Sequence, residues 1–226
     1  MEIQKNNIAF VTLLLAIVAG YCDTATFVAA KEIFSAHVTG NFIVFAYQIV
    51  KGTDASAFIK LITFPVFIIA VIVGGKIIAH VKQKYFLLLL QGLLLLAVGI
   101  VVYLLQRFGL YSEDLPMYTC TMFIVFAMGF QNAFGRLFGK ETFGPTTMMT
   151  GNVTQASLDL GDMMSKSAPR HGESLQSFKK QMTTIAGFLI GCILGAVIGN
   201  SIGLIAVCFP GIALVICYYR IKNPSA

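Results

Sequence analysis

The residues best suited to bind a solute are two copies of one polar triplet in an otherwise apolar chain. The copies are Thr39-Gly40-Asn41 and Thr150-Gly151-Asn152. At a helix start, a threonine or asparagine side chain accepts a hydrogen bond from a free backbone N–H group, and glycine permits a tight approach. Two such helix starts brought face to face would present two positive N-termini to an anionic or polar group. The alternative is that the triplets only cap helices and lock the two halves of the fold together.

A carboxylate and two amides in apolar surroundings are candidates for the same site. Asp23 lies deep in the first apolar segment, and Gln131 and Asn132 lie in the matching segment of the second half. Ionisable groups inside a membrane are costly and are usually functional. We therefore expect Asp23 to bind a cation or to carry a proton that drives transport, and the two amides to hydrogen-bond the solute. The structural alternative for Asp23 is a bond to a broken helix or a place near the interface.

Three further residues are candidates that each have a structural alternative. His37 directly precedes the first triplet and could titrate near neutral pH, or it could be a hydrogen-bonded structural residue. Arg136 could draw an anion towards a cytoplasmic mouth, or it could anchor the chain at the cytoplasmic surface. Asp159 shares a predicted helix face with Gln155 and Asp162, but the matching segment of the first half has no carboxylate. A metal site is therefore not predicted.

The composition indicates that these polar residues lie in a membrane protein. Of the 226 residues, 57% are hydrophobic and only 12% are charged, against about 25% charged in globular chains. Apolar runs that reach or approach the roughly 20 residues needed to cross a bilayer cover residues 8–20, 64–75, 85–105, 182–199 and 202–219. The net charge of +6 comes from basic residues at the ends of these runs, which favours cytoplasmic loops over nucleic-acid binding.

The chain contains an internal repeat, which determines the architecture. The segments "AGYCDTATF" (19–27) and "MGFQNAFGR" (128–136) are similar, and a Thr-Gly-Asn triplet follows each of them. Further on, "FIIAVIVGG" (67–75) aligns without a gap with "FLIGCILGA" (188–196). Three matches in the same order predict two repeats, at about 7–105 and 117–221, within one integral membrane domain that covers residues 1–226.

The short segments that begin at the triplets decide the topology. They cover roughly residues 38–51 and 149–164, which is marginal for a full crossing. If they span the membrane, each half has four crossings and the halves are parallel. If they are re-entrant, each half has three crossings and the second half is inverted.

The distribution of charge favours the inverted arrangement. With Lys5 in the cytoplasm, re-entrant short segments place the basic loops at 80–84 and 166–180 inside and the acidic loop at 112–114 outside, as the positive-inside rule requires. Lys31 and Lys51 are exceptions. We therefore predict an all-α polytopic membrane protein with six transmembrane helices in two inverted 3+3 repeats, each with a broken or re-entrant short helix starting at Thr-Gly-Asn, and with both termini cytoplasmic.

Small residues at four-residue spacing indicate where helices approach closely. Gly187, Gly191, Gly195 and Gly199 form an unbroken ladder, and Ala70 and Gly74 repeat its spacing in the first half. Such faces allow close helix packing in lipid. We expect the helices that carry them to cross each other at the centre of the molecule, with a homodimer contact as the rival use.

Sequence motifs of catalysis and of cofactor binding are absent. The chain has no Walker A loop, no HExxH, no GxSxG and no CxxC. Its five cysteines are predicted to be free thiols, most of them within apolar runs. We therefore expect no catalytic residue, no cofactor and no enzyme activity.

The segments "GYCDTATF…FSAHVTGN" and "AMGFQNAFGRLFG…GPTTMMTGNVTQ" together resemble the YoaK-like family of small bacterial membrane proteins (DUF1275). Members have a Gly-x-x-Asp-Ala-like first helix followed by Thr-Gly-Asn, and then a Gly-x-Gln-Asn-Ala segment that leads to Pro-Thr-x-x-x-Thr-Gly. The resemblance covers essentially the whole chain, and it departs at Thr24, where the family usually has alanine. It implies a bacterial inner-membrane protein and carries no substrate or activity with it.

These observations predict a small transporter that moves a polar or anionic solute by alternating access, with Asp23 as the coupling or charge-compensating group. Two alternatives remain open. Paired half-helices could instead form a fixed channel constriction, or the protein could be a scaffold or sensor partner that transports nothing. The expected partners are the lipid bilayer and an unidentified small molecule or ion.

Overall fold

The computed structural model describes residues 2–52, 55–111, 114–165 and 171–223, and within these ranges the chain is helical with no strand. The helices are α1 (Glu2–Ala29), α2 (Val38–Val50), α3 (Ile59–Val81), α4 (Phe86–Arg107), α5 (Asp114–Leu137), α6 (Met149–Met164), α7 (His171–Ile202) and α8 (Cys208–Lys222). Short 3-10 turns precede α3 (Ala55–Phe58) and α8 (Gly203–Val207). Part of the charge pattern used above, at 112–113 and 166–170, lies outside the described residues.

Five helical stretches of the described chain are long and apolar enough to cross a membrane. They are Asn7–Ala29, Ile59–Val81, Phe86–Arg107, Asp114–Leu137 and Gly172–Lys222. The last has 51 residues and contains both α7 and α8, which are separated at Gly203, where φ is +63°. The described residues thus confirm the expected all-helical fold, and the five stretches are compatible with a multi-pass membrane protein.

The two short helices begin and end close to the predicted residues. α2 has 13 residues and α6 has 16, and both are shorter than the roughly 20 residues of a full crossing. Each begins one residue before its triplet, at Val38 and at Met149. α2 packs on α3, and α6 packs on α7.

The long helices pack mainly across the boundary between the two halves. α1 lies along α7, α3 lies along α5, and α4 contacts both α8 and α5. The first helix of each half (α1 or α5) therefore packs on the helix that follows the short helix of the other half (α7 or α3). The core between them is apolar and includes Leu15, Leu88, Leu95, Ile124 and Phe134.

The glycine ladder of α7 is in contact with α1, and this corrects one prediction. A Cβ added at Gly191 would lie 2.1 Å from the Ile17 carbonyl oxygen, and one at Gly195 would lie 2.3 Å from that of Tyr21. On α3, Ala70 instead faces α5, where a Cβ at Gly129 would lie 2.5 Å from the Ala70 Cβ. The expectation that the two small-residue helices cross each other is therefore wrong. Small residues indicate a close approach but do not specify the partner helix.

Two ion pairs mark opposite ends of the helix bundle. Lys31, just after α1, pairs with Asp114 at the start of α5. Lys84, between α3 and α4, pairs with Glu141, which follows α5. The end of α1 and the start of α5 thus lie together at one end, and the start of α4 and the end of α5 lie together at the other.

Candidate functional site

Asp23 connects the C-terminal half of α1 to the start of α2. Its side chain is only 3% exposed. Oδ1 accepts hydrogen bonds from the backbone N–H groups of Ala36 (2.5 Å) and His37 (3.2 Å), and Oδ2 lies 2.7 Å from His37 Nδ1. A carboxylate at the positive end of a helix is electrostatically favourable. The charge of Asp23 is therefore compensated by the start of α2 and by the imidazole.

The asparagine of the first triplet holds the loop that precedes its own helix. Asn41 is fully buried. Its Oδ1 accepts from the Phe34 N–H at 2.8 Å, and its Nδ2 donates to the Phe34 carbonyl at 2.8 Å and to Thr63 Oγ1 at 3.0 Å. Both polar atoms of the amide are thus used within the protein. Thr39 is exposed, and Gly40 admits the Phe34 ring, since a Cβ there would lie 3.1 Å from Phe34 Cδ2.

The asparagine of the second triplet makes the equivalent contact. Asn152 Nδ2 donates to the carbonyl of Pro145 at 2.8 Å, seven residues back along the chain, as Asn41 does to Phe34. Thr150 and Gly151 are exposed. Neither α2 nor α6 has a side-chain hydrogen bond from its N-cap residue, His37 or Met148. The triplets therefore hold the preceding loops in place and do not cap the helices in the predicted way.

Gln131 and Asn132 hold the loop before α6. Asn132 Oδ1 accepts from Thr147 Oγ1 at 2.7 Å. Gln131 Nε2 donates to the Leu15 carbonyl at 2.7 Å and to Thr146 Oγ1 at 3.1 Å. The second break is therefore held by neutral hydrogen bonds, in the place where the first break uses a carboxylate.

A cavity of about 360 Å³ opens beside the first break. Asp23 and His37 form part of its wall, and the His37 ring lies edge-on between two phenylalanine rings, with centroids 6.3 Å and 6.0 Å away. The rest of the wall is mostly apolar. The lining residues are Asp23, Thr24, Phe34, His37, Gly40, Ile43, Val44, Phe188 and Cys192.

The predicted site residues form two groups and not one. The loop of the second break bonds to α1 at Thr12, whose Oγ1 accepts from the Phe143 N–H at 2.9 Å, and Gln131 bonds to Leu15. The first break bonds to α1 at Asp23, eight residues further on, which is about 12 Å along a helix. The hydrogen bonds described for Asn41 and Asn152 each run to the asparagine's own half of the chain. Solute binding by these residues stays a prediction.

The remaining candidates lie apart from the cavity. Arg136 is exposed in the last turn of α5. Asp159 is 5% exposed, on the buried face of α6. Its Oδ1 accepts from Gln155 Nε2 at 2.9 Å, while Oδ2 has no hydrogen-bond donor among the described residues. Within the described ranges, no three His, Cys, Asp or Glu side chains are grouped as metal ligands.

Two buried polar residues were missed by the sequence analysis. Lys60, in the first turn of α3, is 2% exposed, and its Nζ donates to the Lys31 carbonyl at 2.9 Å. Gln91, on α4, is fully buried and donates to Gln131 Oε1 at 2.9 Å. In the sequence, each is a single polar residue in or beside an apolar run. That isolation is the pattern by which both could have been identified.

The ion pair at the second end of the bundle perturbs a carboxyl group outside the long helices. Burial alone would raise the pKa of Glu141, but hydrogen bonds from Lys84 and from the Tyr85 hydroxyl (2.7 Å) outweigh it and lower that pKa. Glu141 is thus held ionised between the α3–α4 connection and the end of α5.

Comparison with known proteins adds a family and no activity. No curated protein and no solved structure matches the chain. A family model described as "Protein of unknown function (DUF1275)" matches residues 11–219, and this range contains both breaks, the cavity and all long helices apart from the ends of α1 and α8. The chain therefore belongs to the DUF1275 family.

Proposed function

We propose that the protein has six transmembrane helices in two inverted repeats. Contacts that recur in both halves support this. A Cβ at Gly20 would lie 2.2 Å from the Phe188 carbonyl oxygen, and one at the matching Gly129 would lie 3.5 Å from that of Phe67. Where α4 meets α8, a Cβ at Gly92 would lie 2.9 Å from the Gly211 oxygen, and the reverse distance is also 2.9 Å. Such reciprocity is expected close to a pseudo-twofold axis.

We also propose that α2 and α6 are re-entrant. The chain leaves α1 at Ala29 and returns along it to Asp23, where α2 starts. At the other end of α2, Gln48 donates to Glu32 at 3.0 Å, and Lys60 at the start of α3 donates to Lys31. The segment therefore comes back to the end it left. In the second half, the loop that follows α5 returns to Asn132 in the same way.

The function that this geometry supports best is transport of a small polar or anionic solute by alternating access. The observation that carries it is the pair of the buried Asp23 and the partly exposed His37, which lies at a helix break and lines a cavity of about 360 Å³. Aspartate and histidine side chains within the membrane segments of transporters commonly form proton relays. In this mechanism the solute occupies the cavity, and the pair exchanges the proton that couples its movement.

Protonation of the pair has a direct structural consequence. The Asp23 carboxylate accepts hydrogen bonds from the backbone ahead of α2, and charge-assisted hydrogen bonds are about twice as strong as neutral ones. A proton on Asp23 therefore weakens the attachment of α2 to α1. The charge of the pair is thereby linked to the position of α2, which forms part of the cavity wall.

A proton-flux measurement tests the proposal. The protein is reconstituted into vesicles that contain a pH-sensitive dye, and small carboxylates, inorganic anions, amino acids and sugars are added in turn. One class is expected to move protons with the wild type and with the control His80→Gln, since His80 is exposed and bonds to the Lys76 carbonyl of its own helix. The same class is expected to move none with Asp23→Asn or His37→Gln.

Two results would contradict coupled transport. Solute flux that persists after a protonophore removes the gradient would indicate a channel. Absence of flux and of binding for every class would favour a scaffold or sensor partner. One observation supports that second candidate, because Asn41 and Gln131 direct their polar atoms to other groups of the protein.

Location and partners complete the proposal. We place the protein in a bacterial inner membrane with both termini in the cytoplasm, supported by the basic residues near the ends of the helices, such as Lys82, Lys84 and Arg220. Its partners are the bilayer and the solute, with a homodimer as a further candidate assembly. We propose transport without catalysis, and no cofactor takes part.

A further inference from the structure

The second half of the protein buries two acceptor atoms that no described residue satisfies. Asp159 Oδ2 on α6 and Gln181 Oε1 on α7 are both inaccessible and have no hydrogen-bond donor among the described residues. α6 and α7 are packed together, and Asp159 belongs to the buried face of α6 with Asn152 and Ala156. A buried acceptor without a donor costs roughly 1–3 kcal/mol, and more when it is charged. A hydrogen-bond donor or a cation between the two packed helices would satisfy such atoms.

The first half carries a positive charge at the equivalent place. The gapless alignment of 67–75 with 188–196 pairs Lys60 with Gln181 and Thr63 with Thr184, and both threonines are fully buried. Lys60 is buried at the start of α3, and its ammonium donates to the Lys31 carbonyl. Aligning the triplets pairs Gln48 with Asp159. Where the first half has a lysine and a glutamine, the second half therefore has a glutamine and a carboxylate.

We infer that a monovalent cation binds between α6 and α7, held by Asp159 and Gln181, at the position that the Lys60 ammonium takes in the first half. Carboxylate and amide oxygens are the ligands that hard cations and ammonium groups prefer. A single carboxylate neutralises one positive charge. The ligand is an alkali cation or the protonated amine of a small solute, which share this chemistry.

Among the described residues, the charged side chains on α6 and α7 do not supply the cation. Among the described ion pairs, none involves Asp159. On α7, Lys180 Nζ lies 5.8 Å from the Phe143 ring centroid, and Lys179 and Glu173 are exposed. On α6, Asp162 is exposed and accepts a long hydrogen bond (3.5 Å) from Ser174. The inference does not depend on transport, because a bound cation would remain even if no solute flux were found.

Thermal unfolding of the full-length protein in detergent tests the inference. The melting temperature is measured in sodium, potassium or methylammonium chloride and in N-methyl-D-glucamine chloride, whose large cation does not fit, all at one ionic strength and pH. At least one small cation is expected to raise the wild-type melting temperature by about 5 °C at saturation. A shift with sodium or potassium identifies an alkali ion, and a shift with methylammonium alone identifies a protonated amine.

Three variants make the test specific. Asp159→Asn is expected to lose the shift, whereas Asp162→Asn, the matched control three residues away, is expected to keep it. Gln181→Lys supplies the ammonium covalently, as in the first half, so it is expected to melt in N-methyl-D-glucamine at least as high as the wild type and to show no shift. This variant carries the test alone if Asp159→Asn does not fold.

The inference is overturned if the wild type melts at one temperature in all four salts. It is also overturned if Asp159→Asn keeps the shift, or if Gln181→Lys melts below the wild type in N-methyl-D-glucamine.

Discussion

The two helix breaks share one skeleton and differ in charge. In both, the triplet asparagine donates to a carbonyl seven residues back, at 2.8 Å. At the first break, Asp23 accepts from two backbone N–H groups and contacts His37. At the second, Asn132 accepts from the Thr147 hydroxyl. A neutral residue is therefore sufficient to close such a break. Closure alone does not explain why the first break has a carboxylate.

Replacing the two equivalent residues is expected to give the largest effect. Asp23→Ala leaves the N–H groups of Ala36 and His37 unpaired and is expected to lower the free energy of unfolding by about 3–5 kcal/mol. Asn132→Ala removes neutral hydrogen bonds and is expected to cost about 1–2 kcal/mol. The chain has no tryptophan, so unfolding in detergent is followed by circular dichroism. Equal costs would remove the distinction between the breaks.

The second largest difference in unfolding free energy is expected between variants of the two triplet asparagines. Asn41 makes three hydrogen bonds through its buried amide, one of them to Thr63, and Asn41→Ala is expected to cost about 2–3 kcal/mol. Asn152 has one short bond, to Pro145, which has no N–H to return, so Asn152→Ala is expected to cost about 1 kcal/mol. Chemical denaturation of both variants measures the difference. A larger loss of stability for Asn152→Ala than for Asn41→Ala would contradict this prediction.

The repeated helix contact gives a third comparison. Gly191→Ala places a Cβ 2.1 Å from a backbone oxygen of α1, whereas at Gly74 the nearest atom would be the Phe130 side chain at 3.2 Å. A side chain can rotate and a packed backbone cannot, so Gly191→Ala is expected to cost about 1–3 kcal/mol and Gly74→Ala clearly less. Gly151→Ala is the control, since nothing lies within 4 Å. The melting temperature in detergent is expected to be lowest for Gly191→Ala, higher for Gly74→Ala and highest for Gly151→Ala.

The smallest effect concerns the two ion pairs at the ends of the bundle. The Glu141 side chain is 18% exposed, while those of Lys31 and Asp114 are half exposed. Glu141→Gln is expected to cost under about 1 kcal/mol, and Asp114→Asn is expected to cause no measurable change.

The pH dependence of the Glu141 pair has a definite sign. Because the folded pKa of Glu141 is lowered from its ordinary value of 4.5, its stabilisation is complete above that value and is lost as pH falls through the folded pKa. The wild type and Glu141→Gln should therefore converge in stability below about pH 4.5. A gap that persists in acid would mean that packing, and not charge, is responsible.

The sequence was sufficient to predict the helix limits at the breaks, because polar residues interrupt apolar runs there. Alignment of the two repeats also predicted that Asn132 occupies the position in the second half that Asp23 occupies in the first. It could not reveal that Asn41 bonds to its own loop at Phe34, because an amide has many partners within reach and only the folded backbone selects one. The hydrogen-bond partner of Lys60 could not be predicted for a similar reason. Its single hydrogen bond is made to the carbonyl of Lys31, 29 residues earlier.

The contact of α1 with α7 at Ile17 lies between the two places where α1 holds the loops. Thr12 and Leu15 bond to the second break on one side of it, and Asp23 bonds to the first break on the other. At Gly191 the backbones already touch, so α1 has no room to move closer to α7 there. The same close approach recurs at Gly195 beside Tyr21, so α1 and α7 are held together over more than one turn. A movement of α1 therefore has to carry α7 with it, and it acts on both breaks together.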